Sequence, residues 1–129
     1  MAIYKTKVFS RWANEEGLND HSLCEAVSEM TKGLIDADLG GGLVKKRVAR
    51  TGQGKSGGFR TLVATNKGDL WIFVFGFAKN ERDNINKKEK EAFKALANQL
   101  LTLSTQELIN MQNKFKLIEV NCHEKISDS

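Results

Sequence analysis

The nine-residue run Leu70-Trp71-Ile72-Phe73-Val74-Phe75-Gly76-Phe77-Ala78 constrains this chain more than any other feature. A strand that is apolar at odd and even positions alike offers apolar side chains to both surfaces of a sheet, so it reads as a buried central strand. It is the longest apolar run in the chain and about half of the ~18 residues a membrane helix needs, so no membrane segment is expected. A chain of 129 residues is the size of one ordinary domain, which excludes folds of ~250 residues such as an eightfold barrel. The first residues, Met1 to Lys7, lack the charged head and apolar stretch of a signal peptide, and a cytoplasmic location is expected.

Around this strand the pattern alternates between helix and strand. Ile3 to Phe9 reads as a short first strand and Asn14 to Leu18 as a helical turn. A helix capped by Asp20 or Ser22 is expected to run to about Leu34, with Leu23, Val27, Met30 and Leu34 as its apolar stripe. Gly40-Gly41-Gly42 ends that unit. Leu43 to Arg50 reads as a basic strand, Gly52 to Gly58 as its loop and Phe59 to Thr65 as the next strand. Asn66-Lys67-Gly68-Asp69 makes a hairpin turn into the central strand. Asn86 with Glu89, and Ser104 with Glu107, have capping-box spacing. They open a helix to about Leu103, with Phe93, Leu96, Leu100 and Leu103 buried, and a second helix over Thr105 to Asn113. Leu117 to Val120 reads as a last strand, followed by a fraying end. The order predicts an α+β fold: a small, mostly antiparallel twisted sheet with helices on one face.

The charge is segregated. Residues 39–68 carry Lys45, Lys46, Arg47, Arg50, Lys55, Arg60 and Lys67 and no acid, together with eight of the eleven glycines. The formal +4 of the chain less these seven leaves −3 for the rest. Clustered cations attract polyanions, and glycines let backbone amides approach a ligand closely. Thirty residues without a counter-charge favour phosphate binding over a merely solvated hairpin.

Other motifs are weaker. Ala49 to Ser56 nearly matches a phosphate loop, but a strand follows where that loop needs a helix N-terminus, which argues against a nucleotide triphosphatase. His21, Cys24, Cys122 and His123 lack metal-ligand spacing, so no metal or other cofactor is expected. Two cysteines are too few for a disulfide scaffold and are expected as free thiols. Lys79-Asn80-Glu81-Arg82-Asp83 stands at the mouth of the central strand, a rigid base for a site or simply a charged entry to the next helix. Phe59 and Phe77 have the chemistry to stack on bases, although phenylalanine is more often core.

The stretch Gly41-Gly42-Leu43, Lys45-Lys46-Arg47-Val48-Ala49 and Gly52-Gln53-Gly54-Lys55-Ser56-Gly57-Gly58-Phe59-Arg60 resembles the RelE/HigB-type toxins of bacterial type II toxin–antitoxin modules. Phe77-Ala78-Lys79-Asn80-Glu81-Arg82 and the Lys-rich helix opened by Asn86 continue the resemblance. It is strong over 41–86 and looser over a common core of about 4–103, with 104–129 as an extension of one domain spanning 1–129. It implies a ribosome-dependent messenger-RNA endonuclease that needs no metal, in which the ribose 2′-hydroxyl attacks its neighbouring phosphate. By the resemblance, Arg60 stabilises the phosphate, Lys79 and Glu81 complete the chemistry, and Lys45, Lys46, Arg47, Arg50, Lys55 and Arg82 grip RNA. It also implies a cognate antitoxin, often a helix-turn-helix protein. Asn80 and Asn86 stand where well-known members carry an arginine and a tyrosine. The alternatives are a ParE-type gyrase poison on the same fold and a non-catalytic RNA- or ribosome-binding module.

Overall fold

The apolar run forms β5 (Leu70–Ala78), and the other elements are arranged around it. The computed structural model describes residues 1–49 and 58–122. In chain order these are β1 (Ala2–Thr6), α1 (Lys7–Glu16), α2 (Asp20–Thr31), β2 (Ala37–Gly40), β3 (Leu43–Val48), β4 (Phe59–Thr65), β5, α3 (Lys87–Leu101), α4 (Thr105–Asn113) and β6 (Leu117–Glu119). The six strands form one sheet in the order β2-β3-β4-β5-β1-β6. Only the β1–β5 pair is parallel.

The α+β class and the mostly antiparallel sheet match expectation, but the helices cover both faces rather than one. Trp71 and Phe73 of β5 pack with Phe9 and Ala13 of α1 and Leu23, Val27 and Met30 of α2. Ile72 and Val74 pack instead with Ala97 and Leu100 of α3 and Leu108 of α4. A strand apolar on both sides needs cover on both sides, because each exposed aromatic or branched side chain would forgo about 1.5–3 kcal/mol of burial.

The N-terminal strand stops earlier than expected. The Thr6 hydroxyl accepts from the Phe9 amide and caps α1, which replaces both the tail of that strand and the expected turn at Asn14–Leu18. Asn19, rather than Asp20 or Ser22, caps α2 by accepting from the Ser22 amide. That helix ends at Thr31, so Leu34 falls outside the stripe and is exposed. Gly41 and Gly42 make the turn between β3 and an additional strand, β2, whose last residue Gly40 pairs with Leu43, and all three glycines have positive φ. The hairpin at Asn66–Asp69 and both capping boxes form as expected.

The cysteines are not free thiols: Cys24 of α2 and Cys122 are joined in a disulfide across 98 residues. The Val120 amide donates to the Ile3 carbonyl at 2.9 Å, which carries the chain on along β1 past the end of β6 toward Cys122.

Gly76 shows how tightly the α1 side is filled. A Cβ built there would enter the Trp12 ring, which is itself packed against Phe9 and Phe59 at 5.4 and 5.3 Å. Gly76→Ala is therefore expected to destabilise the fold by about 1–3 kcal/mol through overpacking, read as a lower denaturant midpoint. An unchanged midpoint would contradict this packing.

Candidate nucleic-acid interface

Register sets the site. Arg47 of β3 lies directly opposite Arg60 of β4, and Arg60 lies directly opposite Phe77 of β5. The adjoining row is Lys45, Leu62 and Phe75. Side chains alternate across a strand, and Leu43 and Leu62 belong to the α3 side. Lys45, Arg47 and Arg60 therefore share that face, at the end of the sheet away from Ile72. Like charges directly opposite each other on neighbouring strands are destabilising, so the Arg47–Arg60 pair is not an aid to folding.

Each member of the row is held. The Asp36 carboxylate accepts from the Arg47 amide at 2.6 Å and lies 3.4 Å from Arg47 Nε. Arg60 is buried, while Arg47 keeps about half of its side chain in solvent (49%). Phe75 stacks on Phe93 of α3 at 4.7 Å and neighbours Phe77 at 6.1 Å. Arg82 lays its guanidinium over the Phe77 ring, 5.4 Å from the centroid. Both of its terminal nitrogens pair with the Glu89 carboxylate, Nη1 at 3.1 Å. Glu89 also accepts from the Asn86 amide, and Asn86 accepts from the Glu89 amide, so the clamp on Arg82 is built onto the first turn of α3.

Lys46 is a correction. It points to the opposite face, where its Nζ lies 2.7 Å from Glu29 of α2 and donates to the Leu34 carbonyl at 2.9 Å. Period-two alternation puts it under α2 while Lys45 and Arg47 face the other way. Its side chain is only 4% exposed, so it is a structural cation rather than an RNA contact. Phe59 likewise lies in the α1–α2 core.

Lys79 and Glu81 are exposed in a turn directly after β5. The Lys79 amide donates to the Gly58 carbonyl at 3.3 Å, tying the turn to the start of β4, and the Glu81 and Arg82 amides both donate to the Ala78 carbonyl. Asn80 is exposed in the same turn, whereas the Asn86 side chain is committed to capping α3. Arg50, Lys55 and the phosphate-loop-like stretch 51–57 lie outside the described residues. Sequence reasoning missed Asp36 and Glu89 as members of the site. Glu89 carried only its capping-box signal, and Asp36 no signal at all, because both act across tertiary contacts.

The Arg82 guanidinium, and next the Asn86 amide, hold the Glu89 carboxyl below the usual carboxylate range. A folded-state pKa lower than the unfolded one, about 4.3 for glutamate, contributes stability above the unfolded value. That contribution is lost as pH falls through the folded value. The stability gap between the native protein and Glu89→Gln should therefore shrink as pH drops from about 7 to 3, followed by denaturant midpoints. A gap independent of pH would contradict the clamp.

The chain matches the family model described as RelE toxin of RelE / RelB toxin-antitoxin system over residues 1–120, which takes in the whole sheet and all four helices. No curated protein matches it. With the family covering nearly the full length, this chain belongs to the RelE toxin family and is the toxin of a toxin–antitoxin pair, with a cognate antitoxin as partner.

Proposed function

We propose that this toxin arrests translation by cutting messenger RNA on the ribosome, with the sheet end that carries Arg47, Arg60, Phe77 and Arg82 as the RNA-holding face. The observation that carries this reading is the in-register placement of two arginines beside an aromatic ring, with a third arginine clamped over that ring. Cations gathered at one end of a sheet suit a single-stranded phosphate chain.

In the reaction, the ribose 2′-oxygen bonds to the adjacent phosphorus and the bond from phosphorus to the 5′-oxygen breaks. The products are a 2′,3′-cyclic phosphate and a 5′-hydroxyl. Glu81 takes the 2′-hydroxyl proton, Lys79 returns a proton to the leaving 5′-oxygen, and Arg60 meets the charge that grows on the phosphate. Lys79 and Glu81 stand two residues apart in one exposed turn that is tied to the base of β4. A second reading, an RNA-binding toxin that stalls ribosomes without cutting, draws support from Asn80 and Asn86, neither of which supplies a cation or a phenol.

Induced expression separates the readings. The native chain should stop translation and leave cuts inside translated codons. Stalled translation with intact messages would mark a binding module, and a DNA-damage response a gyrase poison. Arg60→Ala, with folding verified by thermal melting, should abolish toxicity; full retained toxicity would overturn the assignment.

Two basic neighbours on β3 should behave oppositely. Arg47→Ala is expected to reduce the salt dependence of RNA binding by about one phosphate contact. Lys46→Ala should leave that slope unchanged and cost about 2 kcal/mol of stability, because it removes a buried cation from Glu29 and a donor from the Leu34 carbonyl. This is less than for a fully buried pair, since Glu29 keeps some contact with water. Equal salt slopes for the two variants would contradict the proposed face.

A further inference from the structure

A second basic surface lies at the same end of the sheet. Residues 1–14 contain no acid and supply Lys5, Lys7 and Arg11, and residues 108–118 contain no acid and supply Lys114 and Lys116. Strand pairing brings the two segments together: Thr6 lies opposite Leu117, and the Lys7 amide donates to the Lys116 carbonyl at 3.3 Å. Lys5 is taken up by Asp20 at 2.7 Å. Lys7, Arg11, Lys114 and Lys116 are exposed, and their side chains form no ion pair with the described residues.

Phe115 stands among these cations, 75% exposed and with φ +60°. It follows α4, and its own amide and that of Lys116 close the helix end by donating to the Gln112 and Met111 carbonyls. This is the position where glycine normally ends a helix, because a side chain in the left-handed region costs about 1–2 kcal/mol. Here a large aromatic takes that cost and does not recover it by burial. Strain combined with exposure points to a surface role.

The corner flanks the RNA-holding face. β1 runs parallel to β5 with Lys5 opposite Phe73, so β1 ends at Thr6 three residues short of the level of Phe77 and Arg60. β6 is two strands from β5, so the corner lies roughly 10 Å across the sheet and roughly 10 Å along the strand from Phe77. We propose that the RNA-binding surface extends from the Arg47–Arg60–Phe77 row across the sheet end to this corner. There Phe115 stacks on an unpaired base, and Lys7, Lys114 and Lys116 hold the flanking phosphates. The inference rests on the RNA reading above. It adds a subsite for a nucleotide beyond those at the row, and it favours RNA over an acidic protein because the cations surround a bare aromatic ring on the flank of that row.

Phe115→Gly gives a clean test, since glycine relieves the left-handed strain and should leave the fold as stable or more so. Binding is measured by fluorescence anisotropy with single-stranded RNAs of about 4 and about 12 nucleotides, within the range one such surface accommodates. Phe115→Gly should weaken the longer RNA roughly tenfold and leave the shorter one unchanged, and Phe115→Trp should restore the longer one. Arg47→Ala should weaken both. If Arg47→Ala weakens both RNAs and Phe115→Gly weakens neither, the extension is overturned and the RNA-holding row stands. If no variant alters either RNA, the underlying RNA reading fails as well. If Phe115→Gly spares RNA but loosens the purified antitoxin complex, the corner is a protein-docking surface and the extension is again overturned.

Discussion

Burial of β5 on both sides is the constraint from which the rest of the architecture follows. Trp71 and Phe73 face one helical layer and Ile72 and Val74 the other, so two pairs of helices must be recruited to a single sheet. Gly76 then lets Trp12 lie flush against the strand just before its end, which closes the α1 side completely. On the α3 side the cover is incomplete. α3 starts at Lys87 and reaches Phe75 through Phe93, which leaves the last row of the sheet to polar and cationic neighbours.

That row is where charge is tolerated at a cost to the fold. Two arginines sit opposite one another across β3 and β4, and a third is drawn over Phe77 by a glutamate already employed in capping α3. Lys46, one residue from Arg47, is paired with Glu29 on the opposite face and buried beneath α2. Neighbouring residues of the same charge thus serve opposite ends, and only the pleat of the strand decides which.

Much of this was legible in the sequence. The central strand, the hairpin at Asn66–Asp69 and the two capping boxes are local patterns with local causes, and each forms as its residues dictate. The errors came where tertiary contacts decide. The double-sided apolarity of β5 already demanded cover on both faces, which a one-face arrangement did not supply. Thr6 looked like part of an alternating strand until its hydroxyl found the Phe9 amide. Charge segregation identified the basic segment but not its division between two faces, because a cluster counted along the chain ignores the alternation of a strand. The disulfide depended on β6 returning along β1, which no local signal announced. Glu89 and Asp36 hold the site's arginines through contacts that only the assembled fold creates.

In the proposed reaction this sheet end holds a message so that the message's own 2′-hydroxyl can cut it. The most direct measurement maps message ends, and their chemistry, in a translating extract supplied with the purified toxin. New 5′ ends inside translated codons should carry hydroxyls, paired with 2′,3′-cyclic phosphates upstream and absent when ribosomes are withheld. Intact messages under arrested translation, or breaks that carry 5′-phosphates, would contradict the proposed reaction.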